Sequence, residues 1–174
     1  MRNLLVKSAM TCAAVLLCSA ALAQQPTTPA PAPVAPPPPP MMYGPAVTLE
    51  MAKKAAAAAA AEAKKNNWYM AIAVVTIGGY LTYFEKLDGT QLASVKIAEH
   101  KARVAATFRR PTKVFQDGLA AGNTFLLTLD DVIASEGGIP LVVDGKIIGG
   151  IGCSGGTGAQ DGQVCQAGAN ALKP

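Results

Sequence analysis

The sequence predicts an α+β domain: an antiparallel sheet built from hairpins, with flanking helices. Three observations predict it. Two pairs of short apolar runs each fold back across a glycine-bearing turn, residues 68–76 and 80–86 across Gly78-Gly79, and residues 139–143 and 146–152 across Asp144-Gly145. Helical periodicity lies before, between and after these pairs. No βαβ repeat with a dinucleotide fingerprint is present, which argues against a parallel doubly wound sheet.

Thr48 to Lys65 reads as a helix. Thr48 can cap it, although Met51 is not the Glu or Gln of a full capping box. The alanine run 55–61 maximises helix propensity and offers a small, flat surface suited to close packing on a sheet or another subunit. Asn66-Asn67 ends it. Trp68 to Thr76 is almost continuously apolar, the pattern of a central strand covered on both faces. Tyr80 to Lys86 is its hairpin partner, with Leu81 and Tyr83 on one face and Tyr80, Thr82 and Phe84 on the other.

Residues 91–108 read as a helix with two apolar stripes. Leu92, Val95, Ala98, Ala102 and Ala105 form one; Ala93, Ile97 and Val104 form a second, nearly opposite. A surface helix needs one stripe, so the second is expected to meet another helix, a subunit or a ligand. Pro111 stops this helix, and residues 112–119 form a further turn or two. Residues 122–135 read as partly loop. The last helix runs from Gly158 to Leu172, with Thr157 and Gln160 spaced as a capping box.

Upstream, residues 1–23 read as an export signal. Arg2 and Lys7 supply the charged start, Ala9 to Leu22 the apolar core, and Ala21-Leu22-Ala23 a small-x-small cleavage site. The apolar stretch is short for a span, which needs about 20 residues. A periplasmic or extracellular protein with no stable membrane span is therefore expected. Cys18 follows Leu17 where a lipoprotein signal wants a small residue, which argues against lipidation. Residues 24–45 are largely Pro and Ala, with five prolines in a row at 36–40, and read as a spacer. Residues 46–174 are enough for one domain.

Losing the signal removes two of the 15 basic residues and none of the 11 acidic ones, which leaves about +2 with His neutral. That balance, with no basic groove, argues against nucleic acid as a partner. Two cysteines stay in the mature chain. Cys153 and Cys165 are compatible with a bridge or with two buried thiols, and they lack the further ligands of a zinc site.

Chemistry concentrates after the second hairpin. Ser154, Gly155, Gly156 and Thr157 run from a strand into a helix start, followed by Gln160 and Asp161. Converging amides and a helix N-terminus suit a negatively charged group; the alternative is a sharp strand-to-helix turn and nothing more. The lysine of a Walker phosphate loop is missing. Asp161 reads as a charge partner of the helix N-terminus rather than a catalyst. His100, the only histidine, lies beside the second stripe and is a candidate axial ligand for iron, set against a half-exposed surface histidine. Lys101 and Arg109 are candidate charge partners for a ligand. Met41 and Met42 are soft donors in a tail with nothing beside them to hold a haem or copper ion. Nothing places Ser154 or Cys153 with His100 as a hydrolytic set. The four tyrosines are read as filling strand faces or lining a flat aromatic pocket.

These residues carry a family resemblance. Ala73-Val-Val-Thr-Ile-Gly-Gly-Tyr-Leu81, Ile97-Ala-Glu-His-Lys-Ala-Arg-Val-Ala-Ala-Thr-Phe108, the stretch from Gly137 to Gly152, Ser154-Gly-Gly-Thr157 and Gln160-Asp161 together resemble the GlcG/HbpS-like family, also called the haem-degrading or DUF336 domain. The resemblance covers nearly the whole folded domain. It implies a profilin-like outline, homo-oligomers, and in some relatives haem binding linked to sensing or protection. Thr76 stands where relatives often carry Asp before the Gly-Gly turn. The iron ligand of relatives does not map residue by residue, so His100 rests on its chemistry alone.

Three functions follow as expectations. The first is an exported tetrapyrrole-binding protein, with haem as cofactor and metal ligand His100, and with Lys101, Ser154, Gly155, Gly156 and Thr157 around its acidic groups. The second is an enzyme or accessory for a small organic acid at the same loop. The third is a non-catalytic oligomeric module.

Overall fold

The computed structural model describes residues 41–173. The expected signal, its cleavage site and residues 24–40 of the spacer lie outside the described residues. The element order is α1 (Leu49–Lys65), β1 (Ala71–Thr76), β2 (Leu81–Lys86), α2 (Ala93–Thr107), α3 (Lys113–Ala120), a 3-10 turn at Thr124–Thr128, β3 (Gly138–Val143), β4 (Lys146–Ser154) and α4 (Gly158–Asn170).

The four strands form one antiparallel sheet in the order β2-β1-β4-β3. β1 pairs on one side with β2, from Ala71↔Lys86 to Val75↔Leu81, and on the other with β4, from Ala71↔Ser154 to Thr76↔Gly149. The second hairpin closes through Asp144 and Gly145, both left-handed at φ 50° and 72°, as an Asp-Gly turn demands. α2 covers one face of the sheet, and α1 with α4 covers the other.

The two faces are packed by different means. Under α1 and α4 the core is side chains: Met70, Ile72, Val74, Leu141, Ile151 and Val164 meet the alanine face of α1. That face is Ala52, Ala55, Ala56, Ala59, Ala60 and Ala63, a helical stripe with no large residue to hold α4 away. Under α2 the approach is backbone to backbone. A Cβ at Gly152 would collide with the Ala98 carbonyl oxygen, and one at Gly150 with that of Ala102. Glycine in β4 lets Ala98, Ala102 and Ala106 rest on the strand itself.

This close seating corrects the expectation for α2. Helix α2 begins at Ala93, and Leu92 before it is 83% exposed. The buried residues are Ser94, Ala98, Lys101, Ala102, Val104, Ala105 and Ala106. A helix sunk this far buries one broad sector, so Val104 of the expected second stripe is covered by the protein itself, while Ile97 stays half-exposed and Ala93 exposed.

The folded unit also starts earlier than residue 46. Ile147 donates its N–H to the Met42 carbonyl at 2.9 Å, and Gly44 and Val47 donate to Ile147 and Ile148 at 2.8 and 2.7 Å. Residues 42–47 thus pair with β4 where β1 has ended. The Tyr43 hydroxyl donates to the carbonyls of Ala106 and Thr107 at 3.1 and 2.9 Å, capping α2. Arg109 lies 5.5 Å from the Tyr43 ring and adds a cation–π contact. Tyr43 therefore neither fills a strand face nor lines an aromatic pocket.

Cys153 and Cys165 form a disulfide with a Cα–Cα distance of 5.6 Å, fully buried, joining the end of β4 to the middle of α4. No helix among the described residues is long and apolar enough to cross a membrane.

Candidate functional site

The strand-to-helix loop forms as expected, and its donors are already used. Thr157 caps α4 with the reciprocal capping box: its amide donates to Gln160 Oε1 at 2.9 Å, and the Gln160 amide donates to Thr157 Oγ1 at 3.3 Å. The Gly156 amide donates to Asp161 Oδ1 at 2.9 Å. The anion in this nest is the chain's own Asp161, supplied by the first turn of α4.

Lys101 completes the arrangement. Its Nζ lies 2.7 Å from Asp161 Oδ2 and donates to the Cys153 carbonyl at 3.3 Å. Only 1% of the Lys101 side chain and 4% of the Asp161 side chain are exposed. Burial pushes the Asp161 carboxyl above its ordinary value, opposed by Lys101 and by the amides of Gly156 and Gly155. Ser154 is buried as well, its Oγ 3.3 Å from Ser94 Oγ.

These contacts count against the loop as a ligand seat. Lys101 and Ser154 are buried, and the amides of Gly156 and Thr157, though exposed, donate to Asp161 and Gln160. The physical reason is local: a carboxylate one helical turn inside α4 reaches the amides before any ligand can.

His100, one residue before Lys101, points elsewhere. Its Nε2 lies 3.1 Å from Asp131 Oδ1 and 3.0 Å from the Asp131 carbonyl, with 30% of the side chain exposed. Both neighbours are acceptors, so Nε2 is the nitrogen that donates here. Arg103 Nε approaches the other Asp131 oxygen at 3.1 Å, a charge contact without hydrogen-bond alignment. This cluster ties the 121–135 segment to α2. It does not meet Ser154 or Cys153. Among the described residues no three His, Cys, Asp or Glu side chains stand together to hold a bare metal ion.

Open space lies outside the loop. A groove runs between the edge strand β3 and α4. Its first hollow, about 430 Å³, has walls from Pro111, Lys113, Glu136, Ile139, Ala159 and Gln166. Its second, about 190 Å³, shares Pro111, Ile139 and Gln166 and adds Met41, Pro140, Val142, Ala169 and Lys173. The floor passes just above the buried ion pair: a Cβ on Gly137 would sit 3.0 Å from Lys101 Nζ and 2.7 Å from Asp161 Cβ. Thr112 takes the edge of β3 at Gly138 through both its amide and its Oγ1, each at 2.9 Å, and Pro140 has no N–H to offer. The groove is thus lined by side chains rather than by a free strand edge.

One residue here, Lys173, escaped sequence reasoning, and another, Met41, reads in the sequence only as a donor in a tail. Met41 lines the groove, because the pairing of Met42 with Ile147 and a bond from Arg109 Nη1 to the Met41 carbonyl at 3.3 Å hold it there. Lys173 lies at the far end and makes no ion pair among the described residues. A separate cleft of about 450 Å³ is lined by Lys64, Asn67, Trp68, Tyr69, Glu85, Lys86, Leu87 and Asp88. Its signal in the sequence was Asn66-Asn67-Trp68-Tyr69, where polar residues abut two aromatic ones.

Comparison with known proteins places this geometry in a family. A family model described as "Haem degrading protein HbpS-like" matches residues 47–170. Protein GlcG of Escherichia coli K12 is 44% identical over 88 residues, which are 51% of this chain and 66% of GlcG. The match therefore spans just under two thirds of that relative. A double mutant of Streptomyces reticuli HbpS has a solved structure that superposes with a TM-score of 0.68 at 34% identity, covering 83% of this chain and 99% of that one. The structure of a PduOC:heme complex superposes with a TM-score of 0.66 at 25% identity, covering 73% of this chain and 95% of that one.

Proposed function

The chain belongs to the HbpS-like family, and from that premise we propose that it is an exported protein that binds a flat anionic tetrapyrrole, haem first. One observation carries the reading: the groove between β3 and α4 joins an apolar floor to cations and a soft donor. Pro111, Ile139, Pro140, Val142 and Ala169 supply the floor. Lys173 lines one hollow and makes no ion pair among the described residues, so it can meet one propionate of a haem; Lys113 lines the other beside Glu136 and would have to exchange its partner Asp117, 2.7 Å away, for the second. Met41 lines the second hollow with a thioether, a recognised ligand type for haem iron. The two hollows together fall in the size range of small-molecule sites, about 300–1,000 Å³. The PduOC:heme complex supports the ligand class on a related fold.

Haem, when bound, would supply an iron centre; the residues named would bind and orient it. His100 lines neither hollow and stands outside this site. Sensing, storage and protection are the roles the family offers for such binding. The test is a haemin titration followed in the visible spectrum. Saturable binding at micromolar protein with a shifted Soret band is expected; no shift at that concentration overturns the reading.

A further inference from the structure

The cleft at the other end of the molecule has a different chemistry. Trp68 is half-buried against the core and Tyr69 is 61% exposed. The Tyr69 ring lies against the turn after β2: a Cβ on Gly89 would sit 3.1 Å from its Cδ1. Around these rings stand Lys64 and Lys86, and opposite in sign Glu85 and Asp88. The four charges cancel. None of them takes part in an ion pair among the described residues, although Lys53, Lys65, Lys96 and Lys113 each find a carboxylate three or four residues away. Asn67, held left-handed at φ 57°, adds a carboxamide with no side-chain partner among the described residues.

A ligand of one sign would meet as many like charges as opposite ones here. A polyhydroxylated ring would not. Hydroxyls both donate and accept, so they pair equally with acceptor-only carboxylates, donor-only ammoniums and a carboxamide. The C–H face of a pyranose is apolar and packs on an aromatic ring whose polar edge stays wet. A cavity of about 450 Å³ accepts one or two such rings.

We propose that the Trp68–Tyr69 cleft binds a neutral sugar, with the aromatic pair packing on the ring and Asn67, Lys64, Lys86, Glu85 and Asp88 holding its hydroxyls. This site is separate from the groove beside α4 and does not depend on it.

Trp68 is the only tryptophan of the chain, so its emission reports this cleft alone. The purified protein is titrated with maltose, cellobiose and N,N′-diacetylchitobiose, with glycylglycine as a zwitterionic probe and benzoate as an anionic one. A saturable change in Trp68 emission with at least one disaccharide is expected at millimolar concentration or below. Tyr69→Ala, an exposed position whose thermal midpoint is checked alongside, is expected to weaken it about tenfold or more. Silence with all three disaccharides up to tens of millimolar overturns the proposal. So does a response to glycylglycine or benzoate alone, or a sugar response undiminished in folded Tyr69→Ala.

Discussion

His100 and Lys101 are adjacent on α2, and composition treats them alike: two basic residues beside an apolar stripe. The fold sends them to opposite fates. Lys101 turns inward to a carboxylate and is 1% exposed, whereas His100 stays at the surface beside Asp131 with 30% exposed. The difference lies in what each faces. The backbone at Lys101 rests on Gly138, where a Cβ would strike the Lys101 carbonyl, and its side chain runs beneath Gly137 to Asp161. The inner pair is thus part of the scaffold that holds the Gly155–Gly156 loop, and the outer pair clasps a surface segment. A glycine loop before a helix can look like a ligand seat and still be complete without a ligand.

The comparison breaks hardest at the inner pair. Lys101→Met leaves Asp161 buried without its cation and is expected to cost about 3–5 kcal/mol in urea unfolding. The double variant Lys101→Met/Asp161→Asn keeps an acceptor for the Gly156 amide and no buried charge, so it should be more stable than Lys101→Met alone. A double variant no better than the single one would mean that the ion pair is not what the loop depends on.

The same corner is pinned covalently. Removing the bridge by Cys153→Ala/Cys165→Ala, which closes a loop of sequence separation 12, should lower stability by about 2–4 kcal/mol. Equal unfolding midpoints with and without reductant would show that the bond adds nothing.

At the outer pair the effect should be small. His100→Ala removes a partly exposed contact and is expected to change stability by no more than about 1 kcal/mol. A loss as large as that of Lys101→Met would erase the distinction between the two positions.

The finest test is the pH dependence. The Asp161 carboxyl is raised in the fold above its value of 3.8, so the native state holds this proton to higher pH than the unfolded chain. Its contribution to stability therefore falls as pH rises from about 3.8 through the folded value and is level above it. Glu62 behaves oppositely: Gln163 first and Asn66 next lower it, so its contribution is present above 4.5 and fades as pH falls through the lowered value. Asp161→Asn lacks the acid-favoured term and should lose more stability than the parent between about pH 6 and about pH 4. A smaller loss would reverse the assigned direction.

Much of the fold is legible in the sequence because its signals are local. The Thr48 cap, the Thr157–Gln160 capping box, the Asp144-Gly145 turn and the continuous apolarity of β1 are each decided within a few residues. What escapes is decided across the chain. Residues 42–45 sit at the end of a proline-rich stretch, yet they join the domain because β4 extends past β1 and leaves backbone groups unpaired. The breadth of the buried face of α2 depends on glycines some fifty residues away. The Cys153–Cys165 bond, open as sequence, follows from the position of α4 against β4. At the site, the glycine loop is visible in the sequence, but its occupant is not. Asp161 reads correctly as a partner of the helix N-terminus; that it also fills the nest and pairs with Lys101 needs the third dimension. The groove is invisible because Met41, Pro111, Ile139, Ala159 and Lys173 come from five separate segments.

The central claim is that a flat anionic ring sits in the groove between β3 and α4 rather than on the glycine loop. Ala159, exposed in the first turn of α4, lines that groove, and Ala159→Trp would fill it without touching the buried pair. Haemin titration of the parent, Ala159→Trp and His100→Ala under one set of conditions tests the claim most directly. The expected result is a saturable Soret shift in the parent and in His100→Ala, weakened about tenfold or more in Ala159→Trp. An Ala159→Trp variant that binds haemin as the parent does would contradict it.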